Sequence, residues 1–120
     1  MSLKILPDAS NIPSDQLDDW GHRTGTKEPG TCAMLGTKIS EANGVKTGIW
    51  ECKPGTFDVV KRENVESVII LSGVVKLTDL DCGIETSLKA GDVATLEKGS
   101  SVRWEIVETV RKLYVVAGGD

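Results

Sequence analysis

Few residues of this 120-residue chain have side chains suited to catalysis, and Glu66 is the most informative of them. In a β-strand its side chain shares one face with Val68 and Ile70, because alternate residues point the same way. A carboxylate buried above apolar neighbours has its pKa raised and can accept a proton. The alternative is a strand-start carboxylate that is exposed or paired with Lys61 or Arg62. Glu66 is therefore our candidate catalytic residue.

The sequence offers few ligands for a metal. A catalytic metal centre needs about three protein ligands and an open position. The sole histidine, His22, lies in a polar segment, where we expect it to be solvated. Cys32, Cys52 and Cys82 are odd in number and widely spaced, which argues against a disulfide framework and a zinc site and favours buried or partly buried thiols. We predict no metal and no other cofactor, the alternative being an unusual metal site that includes Glu66 and Cys52.

Aromatic residues suggest a place for a small molecule. Trp50 and Cys52 share one strand face, and Trp104 can face the same cavity. Ligand pockets are mostly apolar, with a few polar groups that orient the ligand. The alternative is that the indole rings fill a barrel too narrow to be hollow. The pocket that we predict is lined by Trp50, Cys52, Lys61, Glu66, Val68, Ile70, Val102 and Trp104.

Composition excludes several partners. Fourteen basic and eighteen acidic residues give a net charge of −4, and no basic cluster interleaved with aromatic residues indicates nucleic-acid binding. The longest apolar run, 68–71, is far too short to cross a bilayer. No secretion signal opens the sequence, so we expect a cytoplasmic protein that does not bind membranes.

The elements that must position these residues are mostly short strands. Residues 1–30, rich in Asp, Ser, Pro and Gly, predict an irregular N-terminal arm with one helical turn at 14–20, laid across the domain or a partner subunit. Residues 31–120 predict one domain, an antiparallel β-sandwich or β-barrel, because β-prone runs alternate with glycine-containing turns. The predicted strands are 32–39, 45–53, 57–61, 67–71, 74–80, 84–88, 93–97, 102–107 and 110–116.

Several segments in register carry a family resemblance. They are Gly48-Ile49-Trp50-Glu51-Cys52-Lys53-Pro54-Gly55, Leu71-Ser72-Gly73-Val74-Val75, Lys89-Ala90-Gly91-Asp92, Lys98-Gly99, Arg103-Trp104-Glu105 and Thr109-Val110-Arg111-Lys112-Leu113-Tyr114. In these the chain resembles the small single-domain cupins related to (S)-ureidoglycine aminohydrolase and to an ethanolamine-utilization protein. The resemblance implies a double-stranded β-helix, or jelly-roll, barrel that is often dimeric and has a central ligand cavity.

The chain departs from the cupin metal motif. If Glu66 is placed on the cupin glutamate, the usual histidines fall at Val60 and Arg62, or at Val59 and Lys61. The second motif has a histidine three residues after its glycine, whereas Val102 stands three residues after Gly99 here. Only the glutamate of the implied ligand set remains.

Three functions fit these observations. The first is a metal-free barrel that binds a small polar metabolite. The second is an enzyme, similar to ureidoglycine aminohydrolase, that acts on a small nitrogenous or carbohydrate metabolite, with or without a bound metal. The third is a structural subunit with a filled barrel. Residues 68–71 are all apolar and need cover on both faces, so we expect a homodimer, with Arg111 and Lys112 solvated or ion-paired at the end of the last strand.

Overall fold

Eight β-strands, all paired antiparallel, form the fold within residues 3–118, the part of the chain that this computed structural model describes. The strands are β1 (Asp18–His22), β2 (Ala33–Ala42), β3 (Val45–Cys52), β4 (Gly55–Val59), β5 (Val65–Asp79), β6 (Glu85–Leu88), β7 (Val93–Leu96) and β8 (Val102–Ala117). The strand order in the sheet is β1-β2-β3-β8-β5-β6, and in addition β4 pairs with β8 and β7 pairs with β5. The predicted all-β jelly-roll barrel is confirmed. The described part contains no helix long and apolar enough to span a membrane.

Two long strands hold the barrel together. β8 pairs with β4 through its first residues, with β3 through Val110 to Ala117, and with β5 along almost its whole length. The sequence predicted two separate strands in place of each long one, and this was wrong. Register shifts after Ile70 bend β5 without ending it. Gly73 has a φ of 85° in this bend, and a Cβ there would collide with the backbone of Thr109.

The N-terminal segment is more ordered than predicted. The helical turn expected at 14–20 is limited to a short 3-10 turn, Ser14–Gln16, and β1 then adds to the edge of β2. Trp20 lies on Gly36 so closely that any Cβ at position 36 would clash with the indole ring. The division into an arm of 1–30 and a domain of 31–120 stays a prediction. Residues 1–2 and 119–120 lie outside the described range.

Buried charges attach this segment to the barrel. Arg111 donates hydrogen bonds to Glu51 Oε1 at 2.8 and 3.1 Å and to the carbonyl oxygens of Ala9 and Ser10 at 3.2 and 3.3 Å. Ser14 Oγ donates to the other Glu51 oxygen at 2.8 Å. Arg111 is thus ion-paired, and it is buried beneath the arm.

The core lies between the inward faces of the strands. In β8, Trp104 and Ile106 are buried, whereas Arg103 points outward and forms an ion pair with Asp58 at 2.8 Å. β4 runs beside this part of β8 and pairs Phe57 with Trp104. The alternation predicted for 102–106 therefore directs Trp104 of β8 into the interior, where it meets Trp50 of β3.

Candidate functional site

The barrel interior contains a cavity of about 490 Å³. Its aromatic lining residues are Trp20, Trp50, Phe57, Trp104 and Tyr114. Its basic lining residues are Arg23, Lys38, Lys46, Arg62 and Lys112. Glu66 is the one carboxylate among the lining residues, which Met34, Val59 and Val116 complete. The cavity is thus aromatic and carries an excess of positive charge.

At the inner wall, Glu66 is held between two cations. Lys112 Nζ donates to Glu66 Oε2 at 2.7 Å, and Arg62 NH2 donates to Glu66 Oε1 at 2.7 Å. The Arg62 guanidinium also donates to Asn64 Oδ1 at 2.7 Å. The Glu66 and Lys112 side chains are each only 8% exposed, so this is a buried ion triad rather than a surface salt bridge.

The triad decides the ionisation of Glu66. Burial would raise its pKa, but the opposing charges and hydrogen bonds of Lys112 and Arg62 outweigh burial and hold the pKa below its usual value. The predicted rise in the pKa of Glu66 is therefore wrong. For Lys112 the balance goes the other way: burial lowers the pKa of its ammonium, and its bonds to Glu66 only partly oppose this.

Aromatic rings surround the Lys112 ammonium. Nζ lies 4.3 Å from the ring centroids of both Trp50 and Trp104, close enough for cation–π attraction to each. The two indoles meet edge to face at 6.0 Å, and Phe57 stacks on Trp104 at 5.9 Å. Trp50 Nε1 donates to Met34 Sδ at 3.2 Å, whereas Trp104 Nε1 has no hydrogen-bond partner within residues 3–118. The rings form walls and leave the interior hollow.

Arg23 differs from the other buried cations. It follows β1, is half-buried, and its guanidinium lies 4.5 Å from the Phe57 ring centroid. None of the ion pairs within the described range includes Arg23. Burial lowers its pKa, and the nearby charge of Arg62 lowers it further. A guanidinium without a carboxylate partner therefore faces the cavity.

The structure brings together only part of the predicted pocket. Trp50, Glu66 and Trp104 line the cavity, and five predicted residues do not. Val68, Ile70 and Cys52 are fully buried in the core, because the packed strands cover the positions below Glu66. Val102 faces a second, apolar cavity, and Lys61 is exposed at a left-handed turn with a φ of 50°. Lys61 still lines a neighbouring pocket together with Arg23, Arg62 and Glu66. The five predicted residues outside the cavity are Cys52, Lys61, Val68, Ile70 and Val102.

Sequence reasoning missed the most buried cation of the site. Lys112 was expected at the surface or in an ion pair at a strand end; it is ion-paired, but it lies inside the barrel. The signal was available in the alternation of β8, since Val110 and Tyr114, both buried, share the face of Lys112. Trp20 and Arg23 could not be placed, because their contribution depends on the strand pairing of β1.

The residues around Glu66 do not fit a metal ion. No group of three His, Cys, Asp or Glu side chains in the described range is placed to bind one. Arg62, at one of the positions where the family motif has a histidine, directs its positive charge at Glu66, and Lys112 engages the other oxygen. A further cation would be repelled at this point.

The cysteines and the histidine lie away from the cavity. Cys32 and Cys52 are buried as expected, but Cys82 is exposed, so the prediction of buried thiols is wrong for Cys82. Burial, followed by the neighbouring Cys32, raises the pKa of the Cys52 thiol to about 12, which leaves it protonated and unreactive at neutral pH. His22 is exposed on β1.

Comparisons with known proteins agree with this architecture. Residues 39–114 match a family model described as the EutQ-like cupin domain. The chain is similar to the Salmonella typhimurium protein described as ethanolamine utilization protein Q, with a TM-score of 0.70 and 20% identity over 98% of this chain and 94% of that one. It is also similar to Clostridium difficile EutQ, with a TM-score of 0.64 and 20% identity over 74% of this chain and 65%, just under two thirds, of that one.

A third solved structure has higher identity over a shorter region. This is a DUF861 family protein from Thermotoga maritima, 38% identical over 55% of this chain and 73% of that one, with a TM-score of 0.51. No curated protein matches the chain significantly.

Proposed function

This chain belongs to the family of EutQ-like cupin domains, as its sequence motifs predicted, and from the chemistry of its cavity we propose that it binds a small organic carboxylate without a metal. The observation that carries the proposal is Arg23, a half-buried guanidinium on the cavity wall that has no carboxylate partner within residues 3–118. Arginine binds carboxylates through paired, charge-assisted hydrogen bonds. We expect the ligand to supply the missing anion.

The charge balance of the cavity supports an anionic ligand. Five basic side chains line it, of which Lys38 is paired with Glu41, and Glu66 is the one carboxylate among the lining residues. Charges of one sign in a cleft with low-dielectric walls concentrate the potential felt by a ligand. A small polar metabolite with a carboxylate is therefore favoured over a neutral or cationic one.

The size and walls of the cavity limit the rest of the ligand. A volume of about 490 Å³ falls within the range of about 300–1,000 Å³ that is common for small-molecule sites. Partly buried side chains of the lining, among them Trp20 and Met34, offer apolar contact for a short carbon chain or a ring. A hollow interior supports a binding function over the alternative of a filled structural barrel.

The remaining expectations are part of the same proposal. We propose that the protein works in the cytoplasm as a homodimer and binds neither nucleic acid nor membranes. An activity on ureidoglycine-like substrates through a bound metal is not favoured, because the donors around Glu66 do not fit a metal ion.

Isothermal titration calorimetry tests the proposal. Protein treated with EDTA, its metal content measured by mass spectrometry, is titrated with acetate, pyruvate and benzoate and with the matching amides. We expect the carboxylates to bind and the amides to bind much more weakly. In Arg23→Gln the affinity should fall about tenfold or more, as expected from losing charge-assisted hydrogen bonds worth about 1.5–3 kcal/mol.

Arg103→Gln is the matched control, since it removes an arginine whose partner, Asp58, lies on the outer surface. Its affinity should equal that of the wild type. Equal binding of acids and amides, or full affinity in Arg23→Gln, would refute the carboxylate site. One tightly held metal per chain would refute the metal-free assignment.

A further inference from the structure

Lys112 is the cavity cation whose position is most tightly fixed. In the middle of the sheet, β8 pairs Lys112 with Trp50 of β3 on one side and with Ile70 of β5 on the other. Its side chain is 8% exposed, and Nζ is held at 2.7 Å from Glu66 and at 4.3 Å from two indole centroids. An amine is thus placed on the wall of the cavity that Arg23 also lines.

Neutralising Glu66 does not require this lysine. Arg62 already bonds to the other oxygen of Glu66 at 2.7 Å. Burying an ammonium costs several kcal/mol of lost hydration, which the pairing only partly returns. Burial also lowers the pKa of Lys112, and this increases the fraction of neutral amine available for reaction. Desolvated lysines of this kind act as nucleophiles toward carbonyl carbons.

We propose that Lys112 forms a Schiff base with a small 2-oxo acid, whose carboxylate is bound by Arg23. This proposal rests on the proposed function, because the carboxylate site selects the ligand and directs its carbonyl group inward. Lys112 then forms a covalent bond to the ligand, in addition to the non-covalent binding by Arg23.

The step conserves atoms and charge. The Lys112 ammonium transfers a proton to the Glu66 carboxylate, which its hydrogen bond already contacts. The nitrogen lone pair forms a C–N bond to the carbonyl carbon, and a proton passes from nitrogen to the oxygen to give a carbinolamine. Glu66 returns its proton to the hydroxyl group, the C–O bond breaks, and water leaves. An iminium replaces the ammonium, and Glu66 is again a carboxylate.

The surroundings suit the product as well as the reactant. The positive charge stays on the same nitrogen, between the faces of Trp50 and Trp104 and beside Glu66. Cation–π attraction and the ion pair therefore act on the iminium as they do on the ammonium. The low pKa of Glu66 makes it a weak proton acceptor but a ready proton donor in the dehydration step.

Reductive trapping tests the proposal. The protein is incubated with pyruvate and sodium cyanoborohydride, which reduces an iminium to a stable amine, and the adduct is located by peptide mass spectrometry. We expect one adduct per chain, on Lys112. Lys112→Arg, which keeps the positive charge beside Glu66, should lose the adduct, and the exposed control Lys98→Arg should retain it.

Even if Lys112→Arg does not fold, the position of the adduct in the wild-type protein tests whether Lys112 forms the Schiff base. No adduct, or adducts spread over exposed lysines as in the urea-unfolded chain, would overturn the proposal. Calorimetry separates the two proposals: pyruvate that binds or fails to bind without being trapped, while acetate or benzoate binds, refutes the Schiff base alone, whereas failure of all three carboxylates to bind refutes both. Trapping of acetaldehyde at Lys112 as fast as pyruvate would refute the assignment of a 2-oxo acid.

Discussion

Removing the charge of Glu66 should destabilise the protein more than removing either of its partners. Glu66→Gln keeps the side-chain shape but leaves Arg62 and Lys112, whose side chains are 12% and 8% exposed, facing each other without an anion. Breaking a buried ion pair from one side costs about 3–5 kcal/mol. We expect the free energy of unfolding to fall by about this amount.

Lys112→Met should have a smaller effect. Glu66 keeps its bond to Arg62, and a methionine can fill the space between the two indole rings, where sulfur–aromatic contact is favourable. The lost charge-assisted hydrogen bond is worth about 1.5–3 kcal/mol, and relief from burying the ammonium offsets part of it. The double variant, which combines Glu66→Gln with Lys112→Met, should be more stable than Glu66→Gln alone. The coupling energy between the two positions should be about 1–3 kcal/mol.

Urea unfolding at pH 7, followed by tryptophan fluorescence, measures these differences, because Trp50 and Trp104 are buried beside the triad. Glu105→Gln is the matched control: its ion pair with Lys76, at 3.5 Å, is partly exposed and should contribute less than about 1 kcal/mol. The reasoning fails if Glu66→Gln is no less stable than the control. It also fails if the double variant loses more free energy of unfolding than the two single variants lose together.

Two further predictions concern pH and the bend in β5. Because the folded-state pKa of Glu66 lies below its unfolded value, the stability it contributes is present above the unfolded pKa, near 4.3, and is lost as the pH falls through the folded value. Urea midpoints measured at decreasing pH should therefore fall more steeply for the wild type than for Glu66→Gln, and parallel curves would contradict this. Gly73→Ala should destabilise more than Gly91→Ala by about 1–3 kcal/mol. The two glycines have similar φ values of 85° and 93°, but only at position 73 does a Cβ meet backbone, that of Thr109; equal losses in thermal unfolding would refute the steric argument.

The strand content of the fold followed from local sequence, but the continuity of the long strands did not. Alternation marked the inward residues of β8, and glycines marked changes of direction. Ser72-Gly73 looks like a turn because glycine at positive φ suits one, whereas here it forms a bulge within β5. A turn and a bulge have the same local signature and differ only in the strand that pairs alongside.

The aromatic half of the site was predictable and its charged half was not. Strand alternation predicted that Trp50 and Trp104 face one cavity, and both line the cavity of the structure. Lys112 was misplaced because charge indicates exposure on average, and only the buried partners Glu66 and Arg62 make an interior lysine stable. Arg23 has no local signal at all, since its position depends on β1 joining the edge of β2.

The walls of the cavity come from two parts of the chain. Trp20 and Arg23 precede the family-matched region, 39–114, whereas Lys112 and Glu66 belong to it. Substitutions in or just after β1 change one wall of the cavity without disturbing the long strands that define the fold. Under the proposed function, ligand preference can therefore be altered through a short peripheral segment while the rest of the cavity is kept.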